Sequence, residues 1–261
     1  MMLAPQSEQP LSQPLETLQA GQKLSVDAWV LSILPFKERD KIINLYSPEL
    51  GKVSTFARSV VGSQKRFAGV MEGFQTVKAH LTVPRGIHSD SERTLWHLDS
   101  IQVLEVFPHW RKNYFSIETL FFMARFIADI VPATQPDESL YRTLQIFLSL
   151  PGDSRFFKAQ SWVRAAFWSR ASFCLGFGSL LSGFSESLEK SDPKWIQFWR
   201  ECFEVGEINF SRFIAGFEKK PIDPLTLSEE AKIYEQWLGQ TSIHWPHFEN
   251  WLQSKSQSGS L

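Results

Sequence analysis

Apolar and polar positions along the chain follow two different periods, and the change lies near residue 108. Before it, apolar residues occur in five short runs rich in β-branched side chains, several of which alternate with polar neighbours, as is typical of β-strands. Turn-forming residues separate the runs. The predicted strands are residues 25–34, 41–46, 51–57, 75–83 and 94–106.

Five short strands joined by turns predict a small β-domain. Their number, and their total length of about 85 residues, fit a β-barrel of the oligonucleotide/oligosaccharide-binding (OB) type. Because periodicity alone does not fix the order of the strands, a small SH3-like barrel is the alternative.

After Pro108, apolar residues recur at steps of three and four positions, which predicts amphipathic α-helices. The predicted helices are residues 115–131, 139–150 and 156–176, a segment that opens at Asp192 and Pro193, and residues 228–238. The sequence therefore predicts an α+β protein in which a five-stranded OB-type β-barrel is followed by an α-helical domain.

We divide the chain into four regions on this basis. Residues 1–22 are polar and aperiodic and are expected to form a disordered tail, and residues 23–107 form the barrel domain. Residues 108–253 form the helical domain, and residues 254–261 form a second disordered tail.

Composition indicates a folded protein of the cytoplasm. Of the 261 residues, 43% are hydrophobic and 14% are aromatic, which is enough for a packed core. No uninterrupted run of about 20 apolar residues suggests a membrane span. The first residues lack the basic and apolar regions of a secretory signal. Cys174 and Cys202 are far apart, so we expect buried free thiols and no zinc site built from cysteine.

Charge is distributed unevenly, although the net charge is −1. Residues 23–85 contain ten basic and five acidic side chains, whereas residues 185–261 contain eight basic and twelve acidic ones. A basic barrel beside an acidic C-terminal region suggests a polyanionic partner for the barrel. The candidate nucleic-acid-binding residues are Lys37, Arg39, Lys41, Lys52, Arg58, Lys65, Arg66, Phe67, Lys78 and Arg85.

Residues 52–71 carry the clearest part of this signal, because they include four cations and no acidic side chain. Phe56 and Phe67 are interleaved with the cations. Surfaces that bind single-stranded nucleic acid combine such cations, which contact phosphates, with aromatic rings that stack on bases. The alternative interpretation is an ordinary solvated loop with two phenylalanines in the core.

Motifs for catalysis are absent from the sequence or weak. Neither the Gly-x-x-x-x-Gly-Lys-Ser/Thr loop nor the Gly-x-Gly-x-x-Gly loop occurs, and no pairing of carboxylates suggests a nuclease centre. Pro246 separates His244 from His247, which argues against a helical pair of metal ligands. We therefore expect no enzymatic activity, no metal and no cofactor.

Three stretches of the sequence form a recognisable series. Residues 28–52 contain two strands, their turns and the Gly-Lys pair that opens a third strand; residues 57–74 contain a basic loop; and residues 167–178 end a helix. In this order and spacing they resemble the DNA recombination and repair protein family RecO. Many members of that family have four zinc-binding cysteines after the helix end. Because these are missing here, residues 185–225 are expected to form a metal-free version of that subdomain.

The resemblance implies a recombination mediator. Such a protein binds single- and double-stranded DNA, anneals complementary strands and helps to load recombinase onto DNA coated by single-strand-binding protein (SSB). The implied partners are RecR and the acidic C-terminal tail of SSB, and the implied location is the cytoplasm, at the nucleoid. A groove in the helical domain would suit the tail. The arginines near it would be Arg125, Arg142, Arg164 and Arg170.

Two other functions are consistent with the sequence. The first is an adaptor whose helices bind other proteins and whose barrel binds no nucleic acid, which would explain the near-neutral charge and the acidic, aromatic-rich C-terminal half. The second is a barrel protein that binds RNA instead of DNA.

Overall fold

The computed structural model describes residues 17–60, 62–67, 73–85, 94–150, 163–164, 167, 170–171 and 173–176. The strands within these residues are β1 (Lys23–Pro35), β2 (Lys41–Ser47), β3 (Gly51–Ala57), β4 (Gln75–Thr82) and β5 (Leu95–Val106). The helices are α1 (Gln64–Phe67), α2 (Tyr114–Ile130) and α3 (Glu138–Leu148), and a 3-10 turn covers Pro108–Arg111. None of the helices in the described residues has the length and apolarity needed to cross a membrane.

The predicted strands and the first two predicted helices are confirmed, with ends that differ by at most two residues. The third predicted helix is described only in part, and its described residues are helical as far as Cys174. Helix α1 is missing from the prediction because four residues are too few to show a helical period. The later helices, the 185–225 subdomain, the C-terminal tail and most of the N-terminal tail lie outside the described residues, as do Cys202, His244 and His247.

The strands form a closed barrel in the order β1-β2-β3-β5-β4. Strand β1 pairs with two neighbours, because residues 23–29 lie antiparallel to β4 and residues 29–35 lie antiparallel to β2. A register shift between Val30 and Ser32 lies just after this change of partner. Such bulges bend a strand and increase its twist. The parallel pairing of β3 with β5 completes the ring, and this confirms the predicted OB-type barrel.

Strand alternation separates the inside of the barrel from its outer face. In β3 every second side chain from Val53 to Ala57 is buried, and the side chains between them are only half-buried. The core consists mostly of valine, isoleucine, leucine and alanine, with the fully buried indole of Trp96 among them. Val60 and Phe67 belong to the same core, so the segment after β3 also contributes to the packing of the barrel.

Residues 124–141 pack with the barrel, and together with residues 1–108 they form one compact unit. The Tyr46 hydroxyl on β2 donates a hydrogen bond to the Asp137 carbonyl (3.3 Å). The ring of Tyr46 also lies 6.2 Å from the ring of Tyr141. The end of α2 and the beginning of α3 therefore cover the outer face of the barrel near the end of β2.

Strand β3 begins under the connection between α2 and α3. The Thr134 amide donates to the Lys52 carbonyl (2.9 Å), and the Lys52 ammonium donates to the Ala128 carbonyl (2.5 Å). Gly51 lies at the closest approach, because a Cβ atom there would overlap the backbone carbonyl of Gln135. The φ angle of Gly51 is +68°, a value that other residues adopt at a cost.

Residues 109–123 and 142–261 form the second compact unit. Within its described part, the Trp110 indole N–H donates to the Leu148 carbonyl at the end of α3 (2.9 Å). Phe147 meets Phe167 edge to face, with ring centroids 5.6 Å apart. The predicted boundary between a barrel domain (23–107) and a helical domain (108–253) stays a prediction.

Several carboxylates lie within electrostatic reach of the turn between β2 and β3. Burial raises the pKa of Glu49 above its usual range, and the charges of Asp27 and Glu138 act in the same direction. Burial also raises the pKa of the Tyr141 hydroxyl, and the charges of Asp27 and Glu49 add to this effect. Glu105 contributes in the same sense to Tyr141. The charges of Asp27, Glu49, Glu105 and Glu138 therefore act on ionisable groups in this part of the barrel unit.

Replacing Gly51 with alanine is expected to destabilise the protein by at least about 2 kcal/mol, since the new methyl group needs both a strained φ angle and room beside Gln135. Urea unfolding measures the loss. Gly62→Ala is the matched control, because Gly62 also has a positive φ (+91°) but no atom lies within 4 Å of the place its new methyl group would take. Equal losses in the two variants would contradict the close packing at Gly51.

Replacing Glu49 with glutamine is expected to raise the free energy of unfolding at neutral pH. A carboxyl group whose pKa is higher in the folded than in the unfolded protein binds more protons when folded, so its contribution to stability falls as pH rises between the two pKa values. The gain should therefore be present at about pH 7 and should vanish below the usual glutamate pKa of 4.5. Urea unfolding across this range measures it. Glu38→Gln, at an exposed carboxylate, controls for the loss of one charge; a gain in Glu49→Gln that does not change with pH would contradict the raised pKa.

Candidate nucleic-acid interface

At one end of the barrel, the end of β1 lies beside the start of β2 and the end of β3. Pro35 lies opposite Lys41, and Lys41 lies opposite Ala57 in the adjacent pair of strands. The β1–β2 loop and the segment after β3 are therefore neighbours. Two hydrogen bonds join them: the Val60 amide donates to the Arg39 carbonyl (2.7 Å), and the Ser59 amide donates to a carboxylate oxygen of Asp40 (2.8 Å).

Five of the predicted cations meet at this end, and we name them the basic rim. They are Lys37, Arg39, Lys41, Arg58 and Arg66. The guanidinium of Arg66 donates to the Arg58 carbonyl (3.1 Å) and to the Ser63 hydroxyl (3.0 Å), which brings α1 to the rim. Lys37, Arg39 and Arg58 are exposed to solvent. The rim therefore offers several cations to one ligand.

Apolar side chains border the basic rim on the outer face of the barrel. Leu34 lies opposite Ile42, and Ile42 lies opposite Phe56, so the three form one row across β1, β2 and β3. Phe36 meets Phe56 edge to face (5.5 Å between ring centroids) and remains 49% exposed. The Lys37 ammonium lies 5.7 Å from the centroid of the Phe36 ring. We name Leu34, Phe36, Ile42 and Phe56 the apolar row.

A row of polar side chains lies beside the apolar row. The Asn44 amide nitrogen donates to the Ser32 hydroxyl (2.8 Å), and the Ser54 hydroxyl donates to the Asn44 amide oxygen (2.8 Å). One side chain of β2 thus links β1 and β3. These hydrogen bonds hold the three strands in the register that aligns the apolar row.

The structure does not bring every predicted site residue to this end. Lys52 starts β3 and contacts Ala128, at the opposite end of the strand from Arg58. Lys78 lies on β4 and forms a partly exposed ion pair with Asp27 (3.7 Å). Arg85 is exposed and follows β4, near the end of that strand that pairs with the start of β1.

Lys65 and Phe67 of α1 do not have the surroundings that the sequence predicted for them. Lys65 is exposed and lines a groove beside β4 and β5. Phe67 is only 3% exposed and packs in the core of the barrel, with the Arg66 guanidinium over its ring. The prediction that Phe67 stacks on a base is therefore corrected, because a ring this deeply packed presents no face to a ligand.

Phe36 takes the place that the sequence interpretation gave to Phe67. It is missing from the predicted site because it falls in a turn, where an aromatic residue has no periodic neighbours. Its position directly after a predicted strand and directly before Lys37 is the signal that could have identified it. Phe56 is noted in the sequence, but the alternation of β3 is what places it on the outer face.

The four arginines that the resemblance suggests for the SSB tail differ in burial. Arg125 and Arg142 are exposed, and Arg125 forms an ion pair with Asp129 one helical turn away (3.1 Å). Arg164 is buried, 3.6 Å from a carboxylate oxygen of Glu118. Arg170 is buried and lies over the ring of Phe173. Arg125 and Arg142 are therefore accessible to a ligand, whereas Arg164 and Arg170 are enclosed within the second unit, and contact of these arginines with the SSB tail stays a prediction.

Comparison with known proteins finds one family that the barrel resembles. The family model described as "Recombination protein O N terminal" matches residues 22–95, which contain β1 to β4 and the first residue of β5. The DNA repair protein RecO of Geobacter metallireducens is 26% identical over 140 residues, which are 51% of this chain and 54% of that relative. The protein of the same name from an Anaeromyxobacter species is 30% identical over 119 residues, 46% of this chain and 44% of the relative.

A third relative extends the match. The DNA repair protein RecO of Symbiobacterium thermophilum is 26% identical over 163 residues, 59% of this chain and 61% of the relative. The chain thus spans between 44% and 61% of the length of these curated relatives. The family suggested by the order of the sequence motifs is the one that the comparisons find. The N-terminal barrel of this chain is therefore similar to the N-terminal domain of the RecO family.

Proposed function

We propose that this protein acts in DNA repair by binding DNA through the basic rim and the apolar row, without covalent chemistry. The observation that carries the proposal is the position of the partly exposed Phe36 and Phe56 rings beside Lys37 and Arg58, on one end of an OB-type barrel. Exposed aromatic rings cost free energy in water unless a ligand covers them.

The chemistry of the two surfaces suits a single strand. Cations of the rim attract phosphates and release the counterions that surround them, which makes binding depend on salt. Unpaired bases expose their faces, and the Phe36 and Phe56 rings can stack on them. A duplex offers phosphates but no free base faces, so the rim serves both forms of DNA while the apolar row favours the single strand.

Because the chain resembles the RecO family, we extend the proposal to strand annealing and to the loading of recombinase onto SSB-coated DNA. Two polyanionic strands repel each other, and a cationic surface between them lowers that repulsion until base pairing takes over. RecR and the acidic SSB tail are the proposed protein partners, and the nucleoid in the cytoplasm is the proposed location. Arg125 and Arg142 are the exposed candidates for contact with the tail.

Reversing the charges of Lys37, Arg39 and Arg58 together to glutamate is expected to weaken binding to single-stranded DNA and to flatten its salt dependence. Each lost phosphate contact should reduce the slope of log K against log salt by about 0.7, so the triple variant should lose about 2. Fluorescence anisotropy with a labelled oligonucleotide at several salt concentrations measures both quantities. The control variant reverses Lys23, Arg85 and Lys112, which are exposed and lie outside the rim.

An unchanged slope in the rim variant, or an equal change in the control variant, would contradict the assignment of the rim. Alanine at both Phe36 and Phe56 separates stacking from charge in the same assay. It should lower the affinity by about 1–3 kcal/mol for each stacked base and leave the slope unchanged, because no phosphate contact is removed.

Annealing of complementary oligonucleotides coated with SSB tests the wider role. The protein is expected to accelerate annealing over the SSB-coated control, and the rim variant is expected to accelerate it less. A quenched fluorophore pair on the two strands gives the rate. A protein that binds DNA but does not change this rate is no mediator. A protein that binds no DNA even at low salt fits the adaptor function instead.

A further inference from the structure

Asp40 is an acidic residue in the middle of the basic rim. It lies between Arg39 and Lys41 and directly precedes β2. A carboxylate at this place repels the phosphates that the rim attracts, so its presence needs an explanation. Within the described part of the chain, the partner of the Asp40 carboxylate is a backbone amide and not a cation. Neutralising a neighbour is therefore not what this side chain does.

The backbone of Asp40 closes the β1–β2 loop. Its carbonyl accepts hydrogen bonds from the amides of Phe36 (3.1 Å) and Lys37 (3.4 Å). These bonds involve main-chain atoms alone, so they do not depend on the side chain at position 40. Losing the carboxylate should therefore leave the loop, and the two side chains that it presents to a ligand, in place.

The carboxylate of Asp40 reaches the segment after β3. One of its oxygens accepts a hydrogen bond from the Ser59 amide (2.8 Å). Ser59 has a φ of +52°, which is unfavourable for a residue other than glycine. Such a conformation persists where the surroundings hold it, and this hydrogen bond is one such contact. The bond from the Val60 amide to the Arg39 carbonyl (2.7 Å) keeps the segment beside the loop without using Asp40.

The Ser59 amide and the Arg58 carbonyl belong to one peptide group. In a trans peptide the N–H and the C=O point in opposite directions. This peptide donates to the Asp40 carboxylate on one side and accepts from the Arg66 guanidinium on the other (3.1 Å). Hydrogen bonds that share a peptide polarise and strengthen each other. The carboxylate thus helps to orient Arg66 through the peptide and forms no ion pair with it.

Arg66 and Arg58 both depend on this peptide for their direction. A guanidinium has five N–H donors. Arg66 donates its Nε–H to the Ser63 hydroxyl (3.0 Å) and a terminal N–H to the Arg58 carbonyl, and these two bonds fix its plane. Among the described contacts, the other donors stay available for a phosphate. The exposed side chain of Arg58 extends from the residue that contributes the carbonyl.

We propose that Asp40 is a positioning residue for DNA binding. Its carboxylate holds the peptide between Arg58 and Ser59 in the orientation that directs Arg58 and Arg66 toward phosphates, and it contacts no nucleic acid itself. The inference rests on the proposed function and adds an acidic residue to a surface defined by cations. It predicts an effect opposite to simple electrostatics, because removing a negative charge from such a surface ordinarily strengthens binding.

Replacing Asp40 with alanine is expected to weaken binding to single-stranded DNA, although the protein becomes more positive. Without the acceptor the peptide is free to turn, and the phosphate contacts of Arg58 and Arg66 are lost. Each lost contact should lower the affinity about fivefold at about 0.1 M salt and reduce the slope of log K against log salt by about 0.7. Fluorescence anisotropy with a labelled oligonucleotide measures both. Glu38→Ala, at an exposed carboxylate of the same loop, is the matched control and should bind as tightly as the wild type or more tightly.

Two further variants separate positioning from charge and from stability. Asp40→Asn keeps a side-chain oxygen that can accept from Ser59 but has no charge, so it should retain the slope of the wild type and bind at least as tightly. In a protein in which Arg58 and Arg66 are both alanine, Asp40→Ala should cause no further loss, because the cations that it positions are gone. A general loss of stability would instead weaken binding in both backgrounds.

The outcomes separate this inference from the proposed function. If Asp40→Ala binds single strands as tightly as Glu38→Ala does, the carboxylate positions nothing, and a loss of binding in the rim variant still supports the proposed function. Equal losses in Asp40→Ala and Asp40→Asn would overturn the inference, because the charge and not the acceptor would then matter. An Asp40→Ala protein that does not fold would also overturn it, since the residue would belong to the framework of the barrel. If the wild type binds no DNA, both proposals fail.

Discussion

The pairing of one strand with two neighbours is the constraint on which this barrel depends. Strand β1 hydrogen-bonds to β4 along its first half and to β2 along its second half, and the register shift after Val30 gives it the bend to do so. Without that bend the sheet would stay open and leave two unpaired edges, which favour association with other chains. With it, the ring closes through β3 and β5.

The same strand determines where the proposed functional surfaces lie. The second half of β1 ends at Pro35, beside the starts and ends of β2 and β3, and the basic rim and apolar row form there. The groove beside Lys65 lies on β4 and β5 instead. Helix α1 serves both, because the buried Phe67 anchors it in the core while the two cations before it face different surfaces. The short helix is thus a part of the core that also reaches the basic rim.

Sequence analysis predicted the strands well because their apolar residues alternate or cluster between clear turn signals, and it predicted the OB-type barrel from their number and size. It could not predict the surroundings of individual side chains in segments that are too short to show a period. Phe67 was placed on the surface because it follows Lys65 and Arg66 in what looks like a basic loop, and only the fold shows it in the core. Lys52 was grouped with the same loop, but the register of β3 places it at the other end of the strand.

The sequence was equally unable to show the surroundings of side chains in the interior, such as Arg164, Arg170 and Gln75. Arg164 and Arg170 lie on an apolar helix, where long cations usually reach solvent, and a sequence gives no sign that they are instead enclosed beside Glu118 and Phe173. An amide such as Gln75 carries no periodic signal either, since polar residues at the ends of strands are common. Its burial is a property of the packing of the barrel, which the sequence does not show.

The carboxylates around Glu49 have a consequence for how a ligand arrives. Glu49 lies in the turn between β2 and β3, whereas the basic rim lies at the opposite ends of the same two strands, about 20 Å away for strands of seven residues. The two ends of β2 and β3 therefore differ in chemistry, with Glu49 at one end and the five cations of the basic rim at the other. A polyanion that approaches by diffusion is attracted by the cations of the rim and repelled by the carboxylate at the other end. In the proposed DNA complex, a carboxylate that does not contact the nucleic acid would thus help to orient the first encounter.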